Sequence, residues 1–307
     1  MKAFYLAVAG MAALTAGSAS AQTVYNTSLQ NVTGPFGTST ATTTTDAAGT
    51  RTAVTGPGPN SGANRASGTA VLNQWYQANV GAGATVGITT DFARSGNGSA
   101  YFSQTQDDTG KADLQYYFGN GGAVAPIALS DLTSFSFDHY RSSASTNNPI
   151  QSMVMRLDIL KDGVFAGALI YEPYYTVNGN EPVDTWTTGA GDLTTGNWWT
   201  NNALLGPTNA TAGGTKSLAD WIAGNTGSSL TVYGIEIGFG SGWQGNFYGA
   251  VDNVSVQFGQ AGGVTSNFEV QSATTAVPEP ATWTMMIMGF GLIGYAMRRR
   301  RATLAIA

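Results

Sequence analysis

Apolar and polar residues alternate in short runs through the middle of the chain. Alternating or β-rich stretches occupy residues 70–76, 85–89, 99–104, 113–118, 134–140, 152–160, 164–171, 230–239 and 248–258. A period of two sends one face of each run into a core and leaves the other for solvent or a site, as strands do. Asp162 and Gly163 stand between two of these runs and predict a tight hairpin. Only residues 216–224 read as a helix, with Leu218, Trp221 and Ile222 on one side and Gly224 as the stop. Nine short strands with so little helix predict an all-β protein, a jelly-roll-like β-sandwich.

The sandwich is placed at residues 68–272, followed by a linker at 273–277. Residues 22–67 are polar and rich in Thr and Gly, and two readings stay open for them. They form either a long exposed arm or a first strand near 24–32 followed by an exposed loop. The 41 glycines and the 10% content of charged residues agree with strands and tight turns. Cysteine is absent, so no disulfide supports the core.

Charge is divided unevenly. Lys2, Arg298, Arg299, Arg300 and Arg301 lie at the ends, which leaves eight of the 13 basic residues against all 18 acidic ones. The middle therefore carries −10, which argues against nucleic acid as a partner.

The two ends read as addresses. Residues 1–21 pair Lys2 with a short apolar stretch and end in Ala19, Ser20 and Ala21, a signal-peptidase pattern that predicts an exported protein beginning at Gln22. Near the other end, residues 281–297 hold no charge and predict a transmembrane helix of minimal length. Four arginines after it fix its cytoplasmic side, and Pro278 and Pro280 bar helix before it. Pro278, Glu279, Pro280, then Trp283, Gly289, Phe290, Gly291 and Arg298, Arg299, Arg300 and Arg301 closely resemble the PEP-CTERM sorting signal, in its variant with Trp after the Pro-Glu-Pro. The resemblance covers residues 278–301, followed by a tail at 302–307. Thr284 departs from it where Ala is usual. It implies processing by an exosortase of a Gram-negative bacterium, a passing membrane intermediate, and delivery to the cell surface or an exopolysaccharide matrix.

Within the sandwich, Tyr248, Val251, Asp252, Asn253 and Val254 resemble the closing strand of jelly-roll carbohydrate-binding and galactose-binding-like domains. Parity puts Asp252 on one face with Val254, Val256 and Phe258, and an inward carboxylate needs a partner. The resemblance implies a structural Ca²⁺ there; backbone amides are the other reading. Asp252 is also expected to organise the glycine-rich loop 238–247 that holds Trp243.

Aromatic residues carry the remaining signal. Tyr171, Tyr174 and Tyr175 cluster around Glu172, and Trp186, Trp198 and Trp199 follow among Asn197, Asn201 and Asn202. With Trp243 they form a candidate carbohydrate-binding set, because rings stack on sugar C–H faces while amides and carboxylates take the hydroxyls. Filling the core is the other use for these rings. No catalytic residue is assigned. His139 is the single histidine and its neighbour Asp138 points to the opposite face, so neither a zinc site nor a Ser-His-Asp triad fits. Asp158 and Glu236 read as isolated carboxylates. A structural or adhesive surface protein that binds polysaccharide is thus expected, with an enzyme acting on exopolysaccharide as the competing class.

Overall fold

The computed structural model describes residues 20–29, 33–34, 37–38, 40–46, 49–56, 72–105, 110–120, 122–208, 214–272 and 280–304. The chain divides into two units, Met1–Gln271 and Ser272–Ala307.

The first unit is a β-sandwich of 15 described strands of three or more residues. These are β1 (Ser20–Tyr25), β2 (Thr40–Asp46), β3 (Gly49–Thr55), β4 (Trp75–Ala78), β5 (Ala84–Thr89), β6 (Ser99–Gln104), β7 (Ala112–Tyr117) and β8 (Leu132–Arg141). There follow β9 (Val154–Lys161), β10 (Val164–Tyr171), β11 (Trp186–Gly191), β12 (Trp198–Thr200), β13 (Leu230–Phe239), β14 (Phe247–Phe258) and β15 (Gly262–Glu269). Two short helices interrupt them, α1 (Tyr174–Val177) and α2 (Leu218–Ala223). In α2 the Ser217 side chain accepts from the Asp220 amide and Gly224 ends the helix.

Sheet I runs β1-β15-β14-β6-β5-β3-β2, with β8 and then β11 on the other edge of β14. Sheet II runs β12-β10-β9-β13-β7-β4. Alternation fills the space between them. Met155, Leu157 and Ile159 of β9 and Ile235, Ile237 and Phe239 of β13 meet Phe135 and Phe137 of β8 and Val254, Val256 and Phe258 of β14, all buried. Asp162 (φ +53°) and Gly163 (φ +80°) join β9 to β10, the two left-handed positions that a type I′ turn needs.

The N-terminal segment belongs to the sandwich, so residue 68 is not a boundary. The Thr-rich stretch is neither arm nor loop: β2 and β3 form a hairpin that extends sheet I through β5. Thr43 and Thr52 hydroxyls meet at 2.9 Å and Thr45 and Thr50 at 3.1 Å across it. The first strand starts at Ser20, earlier than expected, and runs parallel to β15. Cleavage after Ala21 would leave residues 22–25 of it paired. Residues 1–19 lie outside the described residues.

Strand β14 governs the middle of sheet I. β8 lies along one edge of it. On the other edge β6 pairs with residues 247–251 and β15 with residues 254–258. The fork between them falls at Asp252 and Asn253. Asn253 has φ +51°, and the β8 register passes from Ser136–Ser255 to Asp138–Asp252, so β14 carries one extra residue here. The bulge overturns the parity reading. Val251 and Val254 both enter the core, and Asp252 no longer shares a face with Val254.

In the second unit, α3 (Pro280–Leu304) is a helix of 25 residues with residues 284–298 exposed. No helix among the described residues is long and apolar enough to cross a membrane. The expected span is corrected to this extent: a helix forms, but its uncharged stretch is short. At about 1.5 Å per residue, residues 281–297 reach roughly 25 Å, less than a hydrocarbon core of about 30 Å, and Gly289, Gly291 and Gly294 dilute it.

Candidate functional site

The outward face of sheet II forms a cleft. Neighbours in a strand point to opposite sides, which separates residues that the sequence sets together. Trp198 turns into the core and Trp199 turns out. Likewise Met155, Leu157 and Ile159 go inward, while Val154, Arg156 and Asp158 go outward. Val154, Ala168 and Ile170 make a small apolar cluster against Trp199. Beside it lies a polar row. Arg156 Nη1 donates to Asp113 Oδ1 and lies 3.8 Å from Glu236 Oε2. Lys111 Nζ is 3.5 Å from Asp113 Oδ2, which also accepts from Asn79. The row is close-packed: a Cβ at Gly238, the cross-strand partner of Asp113, would stand 2.2 Å from Asp113 Oδ1.

Arg156 is 6% exposed. Burial alone would lower its pKa, but Asp113 and Glu236 outweigh that and hold it above the ordinary value. The Nε and Nη2 groups donate to no described residue. Arg156 is also part of the cleft lining. It is therefore a fixed fork with donors to spare.

The cleft has a volume of about 450 Å³. Val154, Arg156 and Ile170 form its floor, and its walls come from Ile150 and Gln151, from Gly240, Ser241, Gly242 and Trp243, and from Glu172, Tyr175, Trp199 and Asn201, with Lys111 also lining it. Trp199 Nε1 donates to Glu172 Oε1 at 3.0 Å, which fixes the indole plane. Burial raises the Glu172 carboxyl above its ordinary value, against the pull of Trp199 and Arg156.

Three of the seven candidate rings meet here: Tyr175, Trp199 and Trp243. Tyr174 packs edge-on against Tyr175 at 5.1 Å and does not line the cleft. Tyr171 and Trp198 are core residues, packed on Phe135 at 4.9 and 4.8 Å, and cannot touch a ligand. Trp186 lies on sheet I beside Tyr140, with Arg94 over its ring. Arg156 and Lys111 were missed, although a charge recurring every second residue in "VMRLDIL" is what marks an outward polar row inside an apolar strand. Asp158 and Glu236 are not isolated. Gln115 Nε2 donates to both, at 3.0 and 2.8 Å, and Tyr76 donates to Gln115 Oε1. Neither carboxylate lines the cleft.

Asp252 sits in the β14 fork, fully buried. Its Oδ2 accepts from the Ser95 amide at 3.0 Å and its Oδ1 from the Phe268 amide at 2.9 Å. Neighbouring Asn253 donates to Ser95 Oγ and to Asp138 Oδ2. Asp252 thus organises residues 91–98, not the loop 238–247. That loop is held by Gln104, whose Nε2 donates to the carbonyls of Trp243 and Gly245. Among the described residues no group of three or more metal-ligating side chains could hold an ion. Asp252 is an anchor for two backbone amides. Chelation with EDTA is expected to leave the melting temperature unchanged, as measured by circular dichroism.

The C-terminal unit has a different role. Gly289, Phe290, Gly291 and Arg298 lie in α3, as does the backbone of Pro280, Trp283, Arg299, Arg300 and Arg301; Pro278 and Glu279 lie outside the described residues. Residues 276–301 match the family model of the PEP-CTERM protein-sorting motif. PEP-CTERM is a sorting signal, so the chain is an exported protein, and the motif implies processing by an exosortase. No curated protein matches the chain.

Among solved structures, the chain is similar to a family 11 carbohydrate-binding module from Clostridium thermocellum in complex with a β-1,3-1,4-mixed-linked tetrasaccharide. That match has 17% identity, covers 61% of this chain and 89% of that one, and has a TM-score of 0.34. The family 11 module of the cellulosomal cellulase Lic26A-Cel5E of Clostridium thermocellum matches at 19% identity over 61% and 88%, with a TM-score of 0.33. The Agl-KA catalytic domain matches at 14% identity over 59% and 27%, with a TM-score of 0.22.

Proposed function

We propose that this chain is an exported polysaccharide-binding protein of the cell surface or extracellular matrix, structural or adhesive in role, which takes a neutral, hydroxyl-rich glycan into the cleft on sheet II. The observation that carries the reading is Arg156. A buried guanidinium, pinned by two carboxylates and still offering N–H donors beside an oriented indole, suits a sugar with apolar C–H faces and hydroxyl acceptors. Anionic glycans suit it less, because Asp113 and Glu236 already balance the Arg156 charge and Glu172 lines the cleft beside it. Asp158 and Glu236, shared by Gln115 outside the cleft, give the competing hydrolytic reading no support.

The test is affinity electrophoresis of the mature protein in gels containing mixed-linkage β-glucan, galactomannan or alginate. Retardation by a neutral polysaccharide is expected, weakened about tenfold in Trp199→Ala, the effect of losing one stacking ring. Equal mobility of wild type and variant in every gel would sink the reading. Delivery is tested separately by mass spectrometry of the surface-released protein. A C-terminus near residues 278–280 is expected; retention of Trp283 and the arginines would refute exosortase processing.

A further inference from the structure

One buried cluster takes no part in the cleft lining and yet holds its wall. Glu181 is 8% exposed, and its carboxylate accepts no hydrogen bond from a described residue. His139 Nδ1 stands 3.7 Å away. Arg141, two residues along β8, is committed elsewhere. Its Nε donates to the Gln151 carbonyl at 3.1 Å, and its Nη2 to Asn147 O and Oδ1 at 3.0 and 2.8 Å. The Glu181 amide donates to the Pro149 carbonyl at 2.9 Å. The 147–151 loop, which supplies Ile150 and Gln151 to the cleft, is therefore gripped from β8 and from the Glu181 backbone. The grip extends to the second wall, because the Thr146 and Asn147 amides both donate to the Asn246 carbonyl.

We propose that Glu181 is an acid-sensitive support of the cleft: with its carboxyl neutral, Arg141 stays on the 147–151 wall, and with it ionised, the guanidinium is drawn toward Glu181 and the wall loosens. The glycan half of this proposal rests on the reading of the cleft given above. The physical cause is a buried carboxylate with no hydrogen-bond donor among the described residues, near a cation whose Nε and Nη2 donors go to the 147–151 loop.

The surrounding charges agree. Burial lifts the Glu181 carboxyl to about 7, with Arg141 pulling it down and Glu172 pushing it up. Burial holds His139 near 4, against Asp138, so the imidazole stays neutral through this range. Tyr171 and Glu172 face Glu181 from the end of β10, and burial raises both, so Tyr171 remains a phenol. The sign follows. A carboxyl raised in the fold stabilises below its unfolded value of about 4.5 and loses that contribution as pH rises through 7. Wall order and stability both favour the acid side.

The test is hydrogen exchange of peptides covering residues 142–152 in the full mature chain, corrected for intrinsic rates, at about pH 5.5 and about pH 8. Exchange in the wild type is expected to rise about fivefold or more across that interval, and Glu181→Gln to change less than twofold. Affinity for mixed-linkage β-glucan should fall in parallel, in the wild type only. An equal rise in both proteins, or none in the wild type, overturns the proposal. A wall transition present in the wild type without glucan binding at either pH refutes the cleft reading and leaves the Glu181 coupling standing.

Discussion

Replacing Asp252 with Ala is expected to lower the melting temperature by roughly 5–15 °C. The variant strips the acceptor from two amides, Ser95 N and Phe268 N, in the fork where β6 and β15 part. Each buried, unsatisfied N–H costs about 1–3 kcal/mol. A domain of this size loses about 2–4 °C per kcal/mol. Asp252→Asn should fall between wild type and Ala, because its single carbonyl oxygen serves one amide. It also removes the burial cost of an ionised group whose pKa is already pushed above its usual value. Thermal unfolding by circular dichroism decides the matter. A melting temperature for Asp252→Ala within a degree or two of wild type would mean that residues 91–98 are held by their other bonds: the Asn97 amide to Glu269, Asn253 to Ser95, and Arg94 to Asp138. Dependence of the wild-type melting temperature on Ca²⁺ would mean that the carboxylate serves an ion after all.

Asp252 also marks where reading the sequence stops. The strands themselves were legible, because alternation is local: residues 99–104, 164–171 and 230–239 coincide with β6, β10 and β13. The I′ turn at Asp162 and Gly163 was legible for the same reason. The bulge at Asn253 was not, since one left-handed residue resets the parity of everything beyond it and nothing in "VDNVS" reports it. The hairpin of β2 and β3 was missed because Thr on both faces gives no apolar alternation, and the strands gain their place by pairing with β5. Which of the candidate rings line the cleft was half legible for a related reason. A pair such as Trp198 and Trp199 must split between core and cleft, but which ring goes where depends on the sheet opposite. Arg156 escaped notice because its importance comes from Asp113, 43 residues earlier, and Glu236, 80 residues later.

Arg156→Lys is expected to weaken binding of mixed-linkage β-glucan about tenfold, near 1.4 kcal/mol, while the fold survives. Lysine keeps the positive charge between Asp113 and Glu236, so the buried carboxylates remain compensated. It loses the planar fork. An ammonium held by Asp113 has no second nitrogen to turn toward a sugar hydroxyl. Arg156→Ala is the wrong probe alone, since removing the buried cation between Asp113 and Glu236 would cost about 3–5 kcal/mol of stability and blur binding with unfolding. The lysine variant separates the two. Calorimetric titration at constant temperature should show the affinity loss with the melting temperature nearly unchanged. Unchanged affinity in a folded Arg156→Lys would show that the guanidinium only ties sheet II together and that the ligand rests on Trp199 and the loop carbonyls. A loss for neutral glucan matched by a gain for alginate would instead mean that net charge on the floor, not the fork, selects the glycan.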